Sequence, residues 1–229
     1  MHNYFPPPAR SFVINLASPD VALRERSLEF AREGLELTAA LDAPSYSVHA
    51  GYVTDPVGFD GTSLVLPEPA SLDAQAEAER RLGDAIAILK ERAGELGLRL
   101  LVENNVCVPE HRGKLLVQRG GEAAALVRAV GDGVGLLLDT GHLKVSAATL
   151  DFDWADFVDE TAAFVGGFHL HDNDGSVDTH TPVAPGSWAL EVVRRPEFAD
   201  VPVVVEAKFD SLDELRRHVD WLRHELGAE

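Results

Sequence analysis

Apolar positions along the chain fall into two alternating rhythms. Short runs that end in polar residues read as strands at 45–50 (SYSVHA), 98–102, 134–138, 165–170 and 201–205. Between them apolar residues recur at the three-and-four spacing of a helix face. Leu28, Ala31 and Leu35 mark one such face. Leu72, Ala76, Leu82, Ile86, Leu89, Ala93 and Leu96 mark a longer one, stopped by Gly97. Further helices are expected at 121–130, 154–164 and 188–193. Ser18 is the expected N-cap of the first helix, with Pro19 in its first turn. Ser211-x-x-Glu214 forms a capping box that opens the last helix, with Leu215, Val219, Leu222 and Leu226 inward. Residues 55–69, rich in Gly and Pro, read as a loop. His2 to Phe5 reads as the end of a sixth strand, cut off by Pro6, Pro7 and Pro8. Short apolar strands separated by helices predict a parallel sheet covered by helices. No linker, low-complexity tract or charge block interrupts the pattern, so 1–229 is expected to be one domain.

Composition narrows the picture. Of the 229 residues 45% are hydrophobic and 25% charged, which is ordinary for a soluble globular chain. No apolar run is long enough to cross a bilayer. MHNYFPPPAR has no apolar signal core, and Cys107 is the one cysteine, so a cytoplasmic protein without disulfides is expected. The formal charge of −18 argues against a nucleic-acid partner, because a generic phosphate-backbone binder presents a basic face. A small anionic substrate held by metal ions stays compatible with that charge.

The strand ends carry the candidate chemistry. They are His49, Glu103, Asp139, His171 and Glu206. Imidazole nitrogen and carboxylate oxygen together suit zinc, manganese, iron or cobalt. From Glu103 onward the ends recur at close to the ~31 residues that one unit of a (β/α)8 barrel occupies. A barrel gathers all its C-terminal strand ends at one mouth, whereas an open doubly wound sheet spreads them along a line. No G-x-G-x-x-G follows any strand, which counts against a nucleotide-binding sheet. Glu103 and Glu206 end apolar strands, where a carboxylate is costly unless paired or metal-bound. Asp139 and His142, three apart, can face one centre. His169 lies two residues before His171 and faces the same side, so it is expected either just behind the ligands or as a buried histidine with its hydrogen bonds satisfied, the former being preferred. His2, His49, Asp178 and His180 are weaker candidates, and His111, His218 and His224 read as surface residues. The alternative for FHLHDND is a polar turn with surface histidines.

In order along the chain, HNYFPPP, FVINLASPD, SVHAGY, LLVENN, LLLDTGHLKV, FHLHDNDGSVDTH and VVVEAK resemble the xylose isomerase-like TIM-barrel superfamily. That group contains sugar and sugar-phosphate isomerases and epimerases, and also endonuclease IV-type apurinic endonucleases. The resemblance covers nearly the whole chain. Its epimerase branch implies one divalent metal (Mn, Co, Mg or Zn) on Glu103, Asp139, His171 and Glu206. There Glu103 and Glu206 serve as the acid/base pair, and His142 contacts a carbohydrate substrate, with His49, His169 and Lys208 as further contacts. The endonuclease branch implies three zinc ions on His2, His49, Glu103, Asp139, His142, His171, Asp178, His180 and Glu206.

The activity expected first is therefore isomerisation or epimerisation of a sugar, sugar phosphate or polyol by Glu-mediated proton transfer. Metal-dependent phosphoester hydrolysis is the alternative. The family barrel has eight strands, and His2 matches the end of the third. Two βα units are thus expected to be missing, with a homodimer, an open barrel or a start upstream of Met1 as the consequence.

Overall fold

A computed structural model describes residues 1–61 and 63–227. Five strands form one parallel sheet: β1 (Ser45–His49), β4 (Arg99–Glu103), β5 (Val134–Asp139), β6 (Val165–Leu170) and β7 (Val203–Val205). Their spatial order, β1-β4-β5-β6-β7, is their order in sequence. A barrel requires that order, and a doubly wound sheet, which reverses direction at a switch point, does not have it. Helices alternate with them: α1 (Val21–Ala40), α2 (Ala74–Glu95), α3 (Gly120–Val130), α4 (Thr140–Leu150), α5 (Trp154–Thr161), α6 (Trp188–Val193) and α7 (Leu212–Leu226). All six residues of β5 are buried, which is why it is a continuous apolar run up to Asp139. Leu35, Ile86 and Leu89 of α1 and α2 are fully buried in the same core as Leu100, Leu136 and Leu138. Each such side chain contributes about 1.5–3 kcal/mol through burial.

The expected barrel-type architecture is present, with several local differences. The sixth strand is reduced to one parallel bridge between His2 and Ser47. Ser47 N donates to Met1 O at 3.0 Å and Asn3 N donates to Ser47 O at 2.8 Å. Pro6 to Pro8 then remove the donors a longer ladder needs. The loop at 55–69 contains a short antiparallel hairpin, β2 (Gly58–Asp60) and β3 (Ser63–Val65). The first helix is capped by Asp20, which accepts from Ala22 N at 2.8 Å. Ser18 turns its hydroxyl to accept from Asp20 N instead. His111 is buried rather than at the surface, with Nε2 donating to Leu64 O at 2.8 Å. In α7 only Leu222 is fully buried, while Trp221 and Leu226 pack partly buried against the core. Helix α4 has no counterpart among the expected elements. Among the described residues no helix is long and apolar enough to cross a membrane.

Candidate metal centre

The C-terminal ends of the strands converge. His49 ends β1 and Glu103 ends β4, and the two are register partners. Asp139 ends β5 opposite His169 of β6, and Glu206 follows β7. Three groups of metal-capable donors result: His2, His49 and Glu103; Glu103, Asp139, His169 and Glu206; and His171, Asp178 and His180. Within each group the donor atoms lie within 4.8 Å of one another. Glu103 belongs to two of them.

Glu103 is the pivot. Its Oε2 lies 3.1 Å from His49 Nε2 and 3.4 Å from His2 Nε2, and those two ring nitrogens are 3.1 Å apart. Its Oε1 accepts from His169 Nδ1 at 2.8 Å. The same Nδ1 lies 2.7 Å from Glu206 Oε2, and one N–H cannot serve both carboxylates. Glu103 Oε2 and Glu206 Oε2 are left buried without hydrogen-bond partners. An orphaned buried acceptor costs about 1–3 kcal/mol, more when charged. Two facing one mouth fit a cation. No Lys or Arg pairs with Glu103 or Glu206 among the described residues; their near-neighbours are histidines.

Charge balance differs around the mouth. Burial drives His2 down to about 3 and lowers His49 as well. Burial also penalises the Glu103 carboxylate, but the imidazoles of His49, His2 and His169 outweigh it and hold it well below its usual range. His169 feels burial in the opposite sense, yet the carboxylates of Glu103 and Glu206 push it up to about 10.

The third group sits on the segment after β6, beside the N-terminus of α4. Asp139 Oδ1 caps α4 by accepting from His142 N at 2.7 Å. His142 Nδ1 donates to Asn104 O at 2.9 Å, and its Nε2 is 3.5 Å from Asp178 Oδ2. His171 Nε2 lies 2.9 Å from Asp139 Oδ1 and 3.0 Å from Oδ2. A Cβ at Gly141 would fall inside the His171 ring, so glycine is needed there. His180 holds a left-handed φ of 53°, which costs a non-glycine residue about 1–2 kcal/mol. Its Nδ1 donates to Glu206 O at 3.0 Å and its Nε2 is 3.1 Å from Asp178 Oδ2.

The structure gathers Glu103, Asp139 and Glu206 as expected, but the imidazole among them is His169, not His171. Position 169 lies inside the β6 ladder, whereas the ladder ends at Leu170 and His171 leans toward α4. His2, His49, Asp178 and His180 all lie at the mouth. Lys208 N donates to His180 O at 2.8 Å, and its side chain lines a cavity of about 680 Å³ with Phe209, Arg217 and Trp221. Sequence reasoning missed Asn104. Its amide donates to Asp139 O at 3.1 Å and accepts from Asp139 N at 2.8 Å, clamping the Asp139 backbone. Its place directly after a strand-end glutamate was the available signal.

Parallel strands in barrel order, with carboxylates and imidazoles gathered at their C-terminal ends, define a barrel mouth lined by three groups of residues able to hold a metal ion. The chain belongs to the family described as Xylose isomerase-like TIM barrel, which residues 1–225 match. A curated relative from Chloroflexus aurantiacus, named probable endonuclease 4, is 29% identical over 96% of this chain and 76% of its own length. A second of that name from Chloroflexus aggregans is 30% identical over 93% of this chain and 73% of its own. Among solved structures, a D-tagatose 3-epimerase-like protein superposes with a TM-score of 0.74 at 20% identity, covering 96% of this chain and 75% of that one. Endonuclease IV from Thermus thermophilus gives 0.64 at 22% identity, covering all of this chain and 76% of that one. These two structural likenesses establish the fold. Relatives named as endonucleases remove the support for excluding nucleic acid on net charge alone.

Proposed function

We propose that the chain is a multinuclear metal-dependent phosphoester hydrolase. The observation that carries this reading is Glu103, one carboxylate shared between two donor groups with one oxygen turned to each. A bridging carboxylate of that kind suits adjacent cations, and adjacent cations suit phosphoester cleavage. His2, His49 and Glu103 would hold one ion, and Glu103, Asp139, His169 and Glu206 a second. Nitrogen and oxygen donors in these numbers favour zinc. Bound there, the ions would lower the pKa of water and neutralise charge on the phosphoryl oxygens. The protein's own part is to fix and shuttle. Asn104 holds the Asp139 backbone from both sides. Glu206, whose side chain is 37% exposed, is the carboxylate at the rim positioned to take a proton from attacking water. The relatives named endonuclease 4 support a phosphodiester as substrate.

One observation favours the second reading, sugar isomerisation or epimerisation at a single metal. Glu103 and Glu206 flank His169 Nδ1 at 2.8 and 2.7 Å, so two carboxylates face one another as an acid/base pair requires. Elemental analysis of freshly purified protein separates the two readings when paired with assays on an abasic-site duplex, small phosphate esters and sugars in deuterated water. Hydrolysis predicts two or three zinc ions per chain with ester cleavage. One exchangeable manganese or cobalt, with solvent deuterium entering a sugar and no cleavage, would overturn it.

A further inference from the structure

The N-terminal ends of the strands, on the side away from the mouth, enclose a cavity of about 790 Å³. The starts of β4 and β5, the end of α3, the 131–133 turn and Phe164 wall it. Two arginines line it, Arg99 and Arg128, and both touch Phe164. Arg99 Nη2 donates to the Phe164 carbonyl at 3.4 Å, and Arg128 Cζ lies 5.1 Å from the ring centroid. Among the described residues neither has a carboxylate partner, although Arg80, Arg81, Arg92, Arg194, Arg195 and Arg216 all do. With 38 acidic residues against 20 Lys and Arg, carboxylates are not scarce in this chain. These two positive charges are left open to something from outside it.

Arg99 is not a freely waving side chain. It opens β4 and shares a face with Leu101 and Glu103, so it points into the barrel beneath the carboxylates of the mouth. Its guanidinium lies against the backbone of two other strands. A Cβ at Gly135 would fall 2.7 Å from Nη2, and one at Gly166 would fall 2.7 Å from Nη1 and 2.8 Å from Cζ. Glycine inside a strand marks a place where another group must come close, and costs about 0.5–1 kcal/mol relative to alanine. The guanidinium carries five N–H donors, and the structure occupies one of them.

Two features oppose an anion here, and neither outweighs the arginines. Asp132 also lines the cavity, which leaves two positive charges against one negative. The negative end of the α3 dipole faces the same side, but Lys90 Nζ caps it by donating to Val130 O at 2.7 Å.

We propose that the barrel floor binds a phosphate-type oxyanion between Arg99 and Arg128. A carboxylate has two oxygens and fills one guanidinium fork, whereas a phosphate offers enough oxygens and charge for both. The bound anion would tie α3 to the starts of β4 and β6. The N-terminal face of a barrel serves stability rather than chemistry, so occupancy stabilises the fold and leaves the reaction at the mouth alone. Nothing in this site depends on which reaction that is.

The test titrates the full chain, labelled with nitrogen-15 at arginine, with inorganic phosphate at constant ionic strength. The expected result is saturable shifts of the Arg99 and Arg128 side-chain signals, with a melting temperature that rises with phosphate and not with chloride. Arg128→Gln, at an exposed position, should weaken binding read at Arg99 by about 10–100-fold and leave the rate at the mouth unchanged. Glycerol 3-phosphate identifies the source: tighter binding than phosphate assigns a phosphate monoester, weaker binding assigns the free ion. Floor arginines that stay silent, or that move no more than with chloride, would overturn the site. So would unchanged affinity in Arg128→Gln. The wild-type titration decides the matter if that variant does not fold.

Discussion

Two arms flank the central carboxylates, and they use the same side chain in opposite states. On the N-terminal arm, His2 and His49 bring their Nε2 atoms within 3.1 Å of each other, with Glu103 as their carboxylate partner. Burial dominates there and both imidazoles are pushed toward the neutral form. On the C-terminal arm burial also works against a charged His142. Even so, Asp139, Asp178 and Glu103 together raise it well above its usual value. The hydrogen bond to Asp178 raises His180. The supply of carboxylates per imidazole, more than burial, decides which histidines are preset to accept a cation. Those on the C-terminal arm first have to lose a proton.

The largest effect should come from removing what the N-terminal arm and the central group share. Glu103→Gln is expected to lower metal content in both and to cut activity more than ~100-fold, beyond what loss of a supporting residue costs. Asp178→Asn, in contrast, should cost only the C-terminal arm its ion. Elemental analysis beside rate measurements checks both, and equal metal loss in the two variants would erase the distinction.

Next is Asn104→Ala, which strips both hydrogen bonds from the buried Asp139 backbone. About 2–3 kcal/mol of stability should be lost, seen as a lower melting temperature. Among the described residues no side chain brackets the His2 backbone in this way, and its partly exposed ring has Nδ1 2.9 Å from Ser47 Oγ, so His2→Ala should melt closer to the wild type.

Proton counting sharpens the charge contrast. His169, raised to about 10, is protonated at pH 7 in the metal-free chain, so zinc binding there must displace a proton. His2, lowered to about 3, is already neutral and releases none. Affinity of the central group should therefore climb as pH rises from 7 toward 10, while the His2 contribution stays flat. Calorimetry in buffers of different ionisation enthalpy measures this directly. By the same sign, the raised His169 stabilises the metal-free fold fully below about 6.5. That contribution fades as pH rises toward about 10, and a metal-free melting temperature that rose through this window would contradict it.

The smallest effect is expected from Lys144→Ala. Lys144 Nζ pairs with Asp172 Oδ1 at 2.7 Å and anchors the segment that carries Asp178. A partly exposed pair of this kind is worth about 1 kcal/mol or less. Denaturant midpoints should shift accordingly, with metal stoichiometry unchanged.

Much of this was legible because barrel strands announce themselves as apolar runs ending in chemistry. Glu103, Asp139 and Glu206 could be picked out on that ground alone. The choice between His169 and His171 could not, since residues two apart share a face and only the ladder's last bond separates them. Helix α4 escaped for a different reason. Thr140, Gly141, His142, Leu143, Val145, Ser146, Ala147 and Thr149 are all buried, so TGHLKVSAATL has no polar face to set a period. The hairpin at 58–65 has three residues per strand, too few for alternation to register. His111 looked like a surface residue because its acceptor, Leu64 O, lies 47 positions away in sequence.

The close packing of Gly141 under the His171 ring also bears on how this sequence can drift. Position 141 is locked while 171 is histidine, since even alanine would collide with the imidazole. If a smaller residue first replaces His171, position 141 becomes free to take a side chain. The path then closes behind it, because histidine can no longer return. The two positions form a ratchet, and substitution at 171 has to come before substitution at 141. Gly141→Ala in the present background should therefore be damaging, while the same change in a His171→Ala background should be mild. The non-additivity of that double-mutant cycle measures the height of the step.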